Sequence, residues 1–273
     1  MAGATMPSRA NTNPPRCIAL ATCVLFSLAI ASVAESSPQV VHVFVALADN
    51  QHQGIVPVPP ALGNGSDAQR NLYWGAAYGV KTFFKASEEW QLISCGRGPK
   101  DVILERCLFK NRTADVFLVA DAYQGSEIKS AVTDFLSAAA GKTSEEIRAK
   151  VNSADVSIAA GGAADLLAYV GHDAFMDFQI APIAGTKGNK PRRTIILACV
   201  SKAFFSPYIG QTGAESLLWT TGLMAPEAYT LKAALTGWIA SEDDEAIRHR
   251  AAQAYDKYQK CGSRAALRLF ATN

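Results

Sequence analysis

Five apolar, β-strand-like runs separated by loops and helical stretches constrain this chain more than any other feature of its sequence. They are residues 40–47 (VVHVFVAL), 115–122 (DVFLVADA), 165–171 (DLLAYVG), 194–198 (TIILA) and 216–221 (SLLWTT). Short β-branched and apolar runs of this kind, bounded by turn residues, read as buried strands. Between and after them, residues 72–86 place Leu72, Tyr73, Ala76, Ala77, Val80, Phe83 and Phe84 on one helical face. Residues 126–140 form an amphipathic helix stopped by Gly141, Ala225-Pro226-Glu227 opens a helix to about Trp238, and a polar helix covers residues 242–258. Strands alternating with helices predict an α/β fold, a mostly parallel central sheet with right-handed crossovers and helices on both faces. Residues 50–71, with Pro57, Pro59, Pro60, Gly63 and Gly65, predict a long loop without regular structure.

The first 34 residues have a different character. A basic start with Arg9 and Arg16, an apolar run from Cys17 to Val33, and the small-residue exit Ser32-Val33-Ala34 follow the order of a secretory signal peptide, cleaved after Ala34. The expected layout is residues 1–34 as signal peptide and 35–273 as a single domain, with no transmembrane segment after cleavage. The shape of the leader favours a bacterial periplasmic or secreted protein. The sequons at Asn64 and Asn111 would be glycosylated only in a eukaryotic secretory pathway. Cleavage removes two of 26 basic residues and none of 24 acidic ones, leaving 24 against 24. A neutral domain gives no reason to expect nucleic acid or an anionic membrane as partner. Of the four remaining cysteines, Cys95 and Cys107 flank Gly-Arg-Gly-Pro-Lys and are placed to bridge it.

In open parallel sheets the ligand site lies beyond the carboxyl ends of the strands. Three predicted strands end there on reactive polar residues: Asp49-Asn50, His172-Asp173 and Cys199. A thiol beside an imidazole has a specific use, because the imidazole takes the thiol proton during attack and returns it to the leaving group. The alternative is a buried structural thiol at Cys199 and a hydrogen-bonded loop histidine at His172, since free cysteine is among the most buried residue types.

Leu-Leu-Ala-Tyr-Val-Gly-His172 and Ile-Ile-Leu-Ala-Cys199 resemble the two hallmark segments of the caspase-like cysteine peptidases, which include caspases, legumains, gingipains and separase. The resemblance covers roughly residues 40–221 and implies a caspase-like three-layer sandwich. It implies a cysteine-type hydrolase, a peptidase or amidase acting on a peptide or protein substrate, with Cys199 as nucleophile and His172 as general acid/base. By similarity to legumain, Asn50 is the candidate to orient the histidine, with Asp49 as alternative; an Asx pair capping the loop is the plain reading of both. The resemblance places oxyanion donors near Asp173 and Cys199, with Gly171, Ser201 and Lys202 beside the pocket. The family has glycine where this chain has Asp173, whose carboxylate near a developing oxyanion is unfavourable unless it turns away or meets a cation.

Several residues carry less. Gly141-Lys142-Thr143 ends like a phosphate-binding loop, but Leu136 stands where the motif needs glycine. Asp177 reads as a loop anchor among apolar neighbours, and residues 185–193 (GTKGNKPRR) as a solvated basic connection with some capacity for an acidic partner. Four histidines without HxxxH or CxxC spacing speak against a metal site, and the dyad requires no cofactor. Two rivals to the enzyme remain: a catalytically inactive caspase-like domain binding a peptide or small ligand, and a structural or redox protein in which Cys199 pairs with another cysteine.

Overall fold

The computed structural model describes residues 1–6, 8, 10, 37–185 and 192–273; the apolar run 17–33, the cleavage site after Ala34 and residues 186–191 of the basic connection lie outside the described residues. Strand β1 (Gln39–Ala46) is at the centre of an eight-stranded sheet, running parallel to β4 (Val116–Tyr123) on one side and β7 (Leu166–Val170) on the other. Strands β8 (Arg193–Leu197) and β9 (Glu215–Thr220) continue the parallel block beyond β7. Antiparallel strands finish each edge: β3 (Ile103–Asn111) and then β2 (Trp90–Gly96) beside β4, and the two-residue β10 (Phe270–Ala271) beside β9. A separate hairpin of β5 (Ser144–Val151) and β6 (Ala154–Gly161) precedes β7. All five predicted strands are present, and residues 37–273 form one unit.

Alternation along the strands explains the layering. Val41, Val43 and Val45 of β1 enter one apolar cluster, while Val40, Phe44 and Ala46 enter another on the opposite face. The first cluster is closed by α1 (Val80–Lys85), α4 (Ala228–Ile239), α5 (Asp244–Gln259) and α6 (Ser263–Leu269). The second is closed by α2 (Ile128–Ala139) and α3 (Ser201–Thr212). A strand buried on both faces is apolar at nearly every position, the paired His42 and Asp121 being exceptions, which is why the runs read as continuous rather than alternating. The result is an α/β three-layer sandwich.

Two differences from the sequence reading have local causes. The helix predicted over residues 72–86 is reduced to residues 80–85. Before it the chain turns on Asn71, whose carbonyl accepts from the backbone of Trp74, Gly75 and Ala76 and whose side chain bonds both backbone groups of Ala48. A Cβ on Gly75 would lie 2.1 Å from the Gln69 carbonyl oxygen, so this turn is too close-packed for a regular helix. The second difference is the β2–β3 hairpin; within it Cys95 and Cys107 are directly opposed and joined by the disulfide expected from the sequence.

One polar cluster lies inside the second layer. His42 of β1 holds Asp121 of β4 through Nε2 at 3.0 Å and accepts from the Gly161 N–H through Nδ1. Arg106 of β3 grips both oxygens of Asp121 at 2.6 Å and reaches Glu145 of β5 at 2.7 Å, so three strands and the hairpin are tied at one point. Burial pushes the Asp121 carboxyl up, but hydrogen bonds from Arg106 and His42 outweigh it and hold its pKa below the usual range. A depressed carboxylate contributes stability above the unfolded pKa and loses it as pH falls through the folded one. Asp121→Ala, which leaves Arg106 and His42 without their partner, is expected to cost about 3–5 kcal/mol in urea unfolding at pH 7, and less below pH 4.

Candidate functional site

Counted in order of appearance, the five parallel strands lie in the order 2-1-3-4-5, with the switch in direction between β1 and β7. A doubly wound sheet opens a crevice at the carboxyl edge of such a switch. The loops after β1, β7 and β8 meet there. His172 follows β7, Cys199 follows β8, and the two strands are parallel neighbours with Val170 opposite Leu197. Both residues line one cavity of about 250 Å3, with Gly54, Ile55, Val56 and Val58 of the long loop and Leu223 to Pro226 as further walls.

The backbone that presents them is unusual at two positions. Gly171, before the histidine, has φ +152°, and a Cβ there would lie 2.9 Å from the Ala46 carbonyl oxygen. Val200, after the cysteine, has φ +50°, a left-handed conformation costing a β-branched residue about 1–2 kcal/mol. Strain of this kind collects where a strand must turn sharply into a helix and leave a side chain facing a site. Val200 donates its N–H to the Gly222 carbonyl, and Ser201 then opens α3.

His172 is half of a pair. Its Nε2 lies 2.9 Å from Asp177 Oδ2, and its backbone carbonyl accepts from the Tyr169 hydroxyl at 2.8 Å. A carboxylate only accepts, so Nε2 carries the proton and Nδ1 is the nitrogen left to take one. The same Asp177 oxygen accepts from the Gly54 N–H at 2.9 Å, and a Cβ on Gly54 would lie 2.4 Å from Asp177 Oδ1. Asp177 is therefore the histidine's partner, where the sequence suggested Asn50 or Asp49. The Asn50 side chain is committed to Val58, accepting from its N–H and donating to its carbonyl, which pins the loop. Asp49 caps the Gln51 and His52 N–H groups and pairs with His52 at 2.9 Å, beside a separate polar cavity of about 310 Å3.

Cys199 is free and partly buried, and so not paired with another cysteine. Its sulfur accepts from the Met224 N–H at 3.4 Å and donates to the Met224 carbonyl at 3.5 Å. Burial pushes the thiol pKa up, the Met224 N–H opposes this, and the charge of Asp173 adds to it. Asp173 does not enter the cavity. Its side chain turns back to accept from the Phe175 N–H at 3.0 Å, capping the 3-10 turn Ala174–Met176, while Oδ2 is buried without a partner. Burial raises its carboxyl to about 7, with the Phe175 N–H opposing and Asp177 assisting. The remaining pocket candidates point elsewhere. Ser201 is buried against the Ile196 carbonyl and Thr220, and Lys202 reaches the Thr272 carbonyl over the Trp219 ring.

Asp177, read from the sequence as a loop anchor, and Tyr73 are the site residues whose place at the cavity the sequence reading did not assign. The offset of five from His172 was visible, but only the intervening 3-10 turn folds the carboxylate back onto the imidazole. Tyr73 lies in the segment between β1 and α1 and was read from the sequence only as part of an apolar helical face. Among the described residues, two groupings have the spacing of metal ligands, and both are otherwise engaged: Cys95 and Cys107 are bonded to each other, and His42, Asp121 and Glu145 surround the Arg106 guanidinium. Compared with known protein families, curated proteins and solved structures, the chain matches none.

Because Cys199 is held as a neutral thiol, its iodoacetamide modification, followed by mass spectrometry across pH, is expected to reach half its maximal rate above the roughly 8.5 of a free cysteine. Asp173→Asn removes a nearby negative charge and is expected to move that midpoint down. Asp173 itself has a raised pKa, so the stability it contributes is complete below the unfolded value and is lost as pH rises toward about 7. The same variant is expected to flatten the pH dependence of thermal unfolding between pH 4 and 8.

Proposed function

We propose that this chain is an exported caspase-like cysteine peptidase or amidase, with Cys199 as nucleophile and His172 as general acid/base. The observation that carries the reading is the convergence of the two side chains, from the ends of adjacent parallel strands, on one cavity. The Asp177–His172 pair supplies the orienting contact that nucleophilic catalysis needs, in the place the resemblance gave to Asn50. The disulfide between Cys95 and Cys107 supports export, since such bonds persist in oxidising compartments.

The chemistry follows from the raised thiol pKa. A thiol that stays protonated at rest must lose its proton as it attacks, and His172 Nδ1 takes it while sulfur bonds to the scissile carbonyl carbon. The tetrahedral intermediate collapses with cleavage of the C–N bond, His172 returning the proton to the departing amine and leaving an acyl thioester. Water then attacks the thioester, His172 takes one water proton, and the carboxylic acid departs as the thiol is restored. Turning the Asp173 carboxylate back onto its own 3-10 turn keeps it out of contact with a developing oxyanion, while its charge still reaches the thiol.

One observation favours the non-catalytic reading: both bonds from Cys199 to Met224 satisfy the thiol as a structural group would be satisfied. A single experiment separates the two. The full chain is assayed against a mixed library of N-acetyl peptidyl coumarin amides. Cleavage is expected to vanish in Cys199→Ala, to fall by about 10²–10⁴ in His172→Ala, and to fall less in Asp177→Asn with a displaced pH profile. Cleavage that survives in Cys199→Ala overturns the assignment of Cys199 as nucleophile, and a cavity that binds ligands without any turnover overturns the peptidase and leaves the binding domain.

A further inference from the structure

We infer that the cavity selects a neutral, apolar group, an aromatic or branched aliphatic side chain on the acyl half of a peptide or amide. This rests on the function proposed above and assigns its substrate class. Three observations carry it.

The first is the lining. Apolar residues, Ile55, Val56, Leu72, Met176, Leu223 and Pro226 among them, form most of the wall, and no Lys, Arg, Asp or Glu lines it among the described residues. Of the nearby acids, Asp177 is engaged with His172 and Gly54 and Glu227 with Tyr229 and Gln259, while Asp173 faces its own 3-10 turn rather than the cavity. A charged group entering would lose its water and find no counter-ion, which is unfavourable. A cavity of about 150 Å3 lined by apolar side chains takes up benzene, and this one is about 250 Å3.

The second is the rim. Among the described residues from 37 onward, the exposed large hydrophobics are Val56 at 82%, Leu223 at 70%, Met176 at 44% and Tyr78. The first three all belong to this cavity. Large apolar side chains left in water around one opening mark a surface that is covered when a ligand arrives.

The third is Tyr73. It is 6% exposed, lines the cavity, and its hydroxyl has no hydrogen-bond partner among the described residues. Burial, then the charges of Cys199 and Glu227, raise its pKa, so it stays a neutral donor. A lone phenol in an otherwise apolar wall beside the thiol is suited to one uncharged acceptor, such as a substrate carbonyl.

The test uses the full chain and four N-acetyl peptidyl acyloxymethyl ketones differing only in the residue next to the ketone: Phe, Leu, Asp or Lys. Each modifies a reactive cysteine by forming a thioether and releasing the acyloxy carboxylate, and the rate at Cys199 is read by mass spectrometry. The Phe and Leu compounds are expected to react roughly 10-fold or more faster than Asp and Lys, and the advantage is expected to shrink in Leu223→Asp, a change on the exposed rim. Asp or Lys reacting fastest, or all four alike, overturns the assignment while leaving the dyad in place. A second arm does not depend on chemistry: saturation-transfer NMR on Cys199→Ala with N-acetylphenylalanine amide and N-acetyllysine amide. Transfer to the phenylalanine compound alone upholds the pocket even if no ketone labels Cys199, in which case only the catalytic reading falls. No transfer to the phenylalanine compound overturns the pocket assignment.

Discussion

Strand β1 must be buried on both faces, and much of the rest follows from that requirement. Its alternate side chains supply two separate apolar clusters, so neither set of helices suffices alone: α1 with α4 to α6 covers one face, and α2 with α3 the other. Parallel neighbours require long connections; those between β1 and β9 carry α1, α2 and α3, and α4 to α6 follow the last parallel strand. The same central position makes the end of β1 one side of the crevice, and the long loop leaving it returns as the cavity wall.

Two buried carboxylates show how neighbours decide what a buried acid does. Asp121 and Asp173 are both removed from water. Asp121 has two bonds from Arg106 and one from His42, and stays ionised as a tie between strands. Asp173 has one backbone N–H and no cation, and its proton affinity rises. Its effect on the thiol passes through charge alone, since its side chain faces its own 3-10 turn. The contrast separates a group that fixes the architecture from one that sets the electrostatic level of the neighbouring cavity.

The sheet was legible in the sequence because a strand covered on both faces leaves an uninterrupted apolar record, as at residues 40–47 and 194–198. Strand order was not stated by any local pattern, yet strand-end residues were enough to bring His172 and Cys199 to one cavity. The β2–β3 and β5–β6 hairpins were missed because β2, β5 and β6 mix exposed with half-buried positions, as in Ser144–Val151, and β3 interrupts its apolar residues with Glu105, Arg106 and Lys110. Asn50 and Asp49 were assigned by position at a strand end. Their side chains are short and find backbone groups within eight residues, which outcompetes a distant imidazole. Asp177 prevails because a 3-10 turn carries it back, a geometric event with no periodic signature.

One oxygen of Asp177 serves two masters, the Gly54 N–H of the covering loop and the Nε2 of His172. Loop and imidazole are therefore held through one carboxylate. If residues 54–58 lift to admit a ligand, Asp177 loses one of its two donors and its lone pairs concentrate on the imidazole, strengthening that bond at the moment of entry. Settling of the loop over an occupant restores the shared arrangement. The covering of the cavity and the orientation of the histidine thus depend on the same atom.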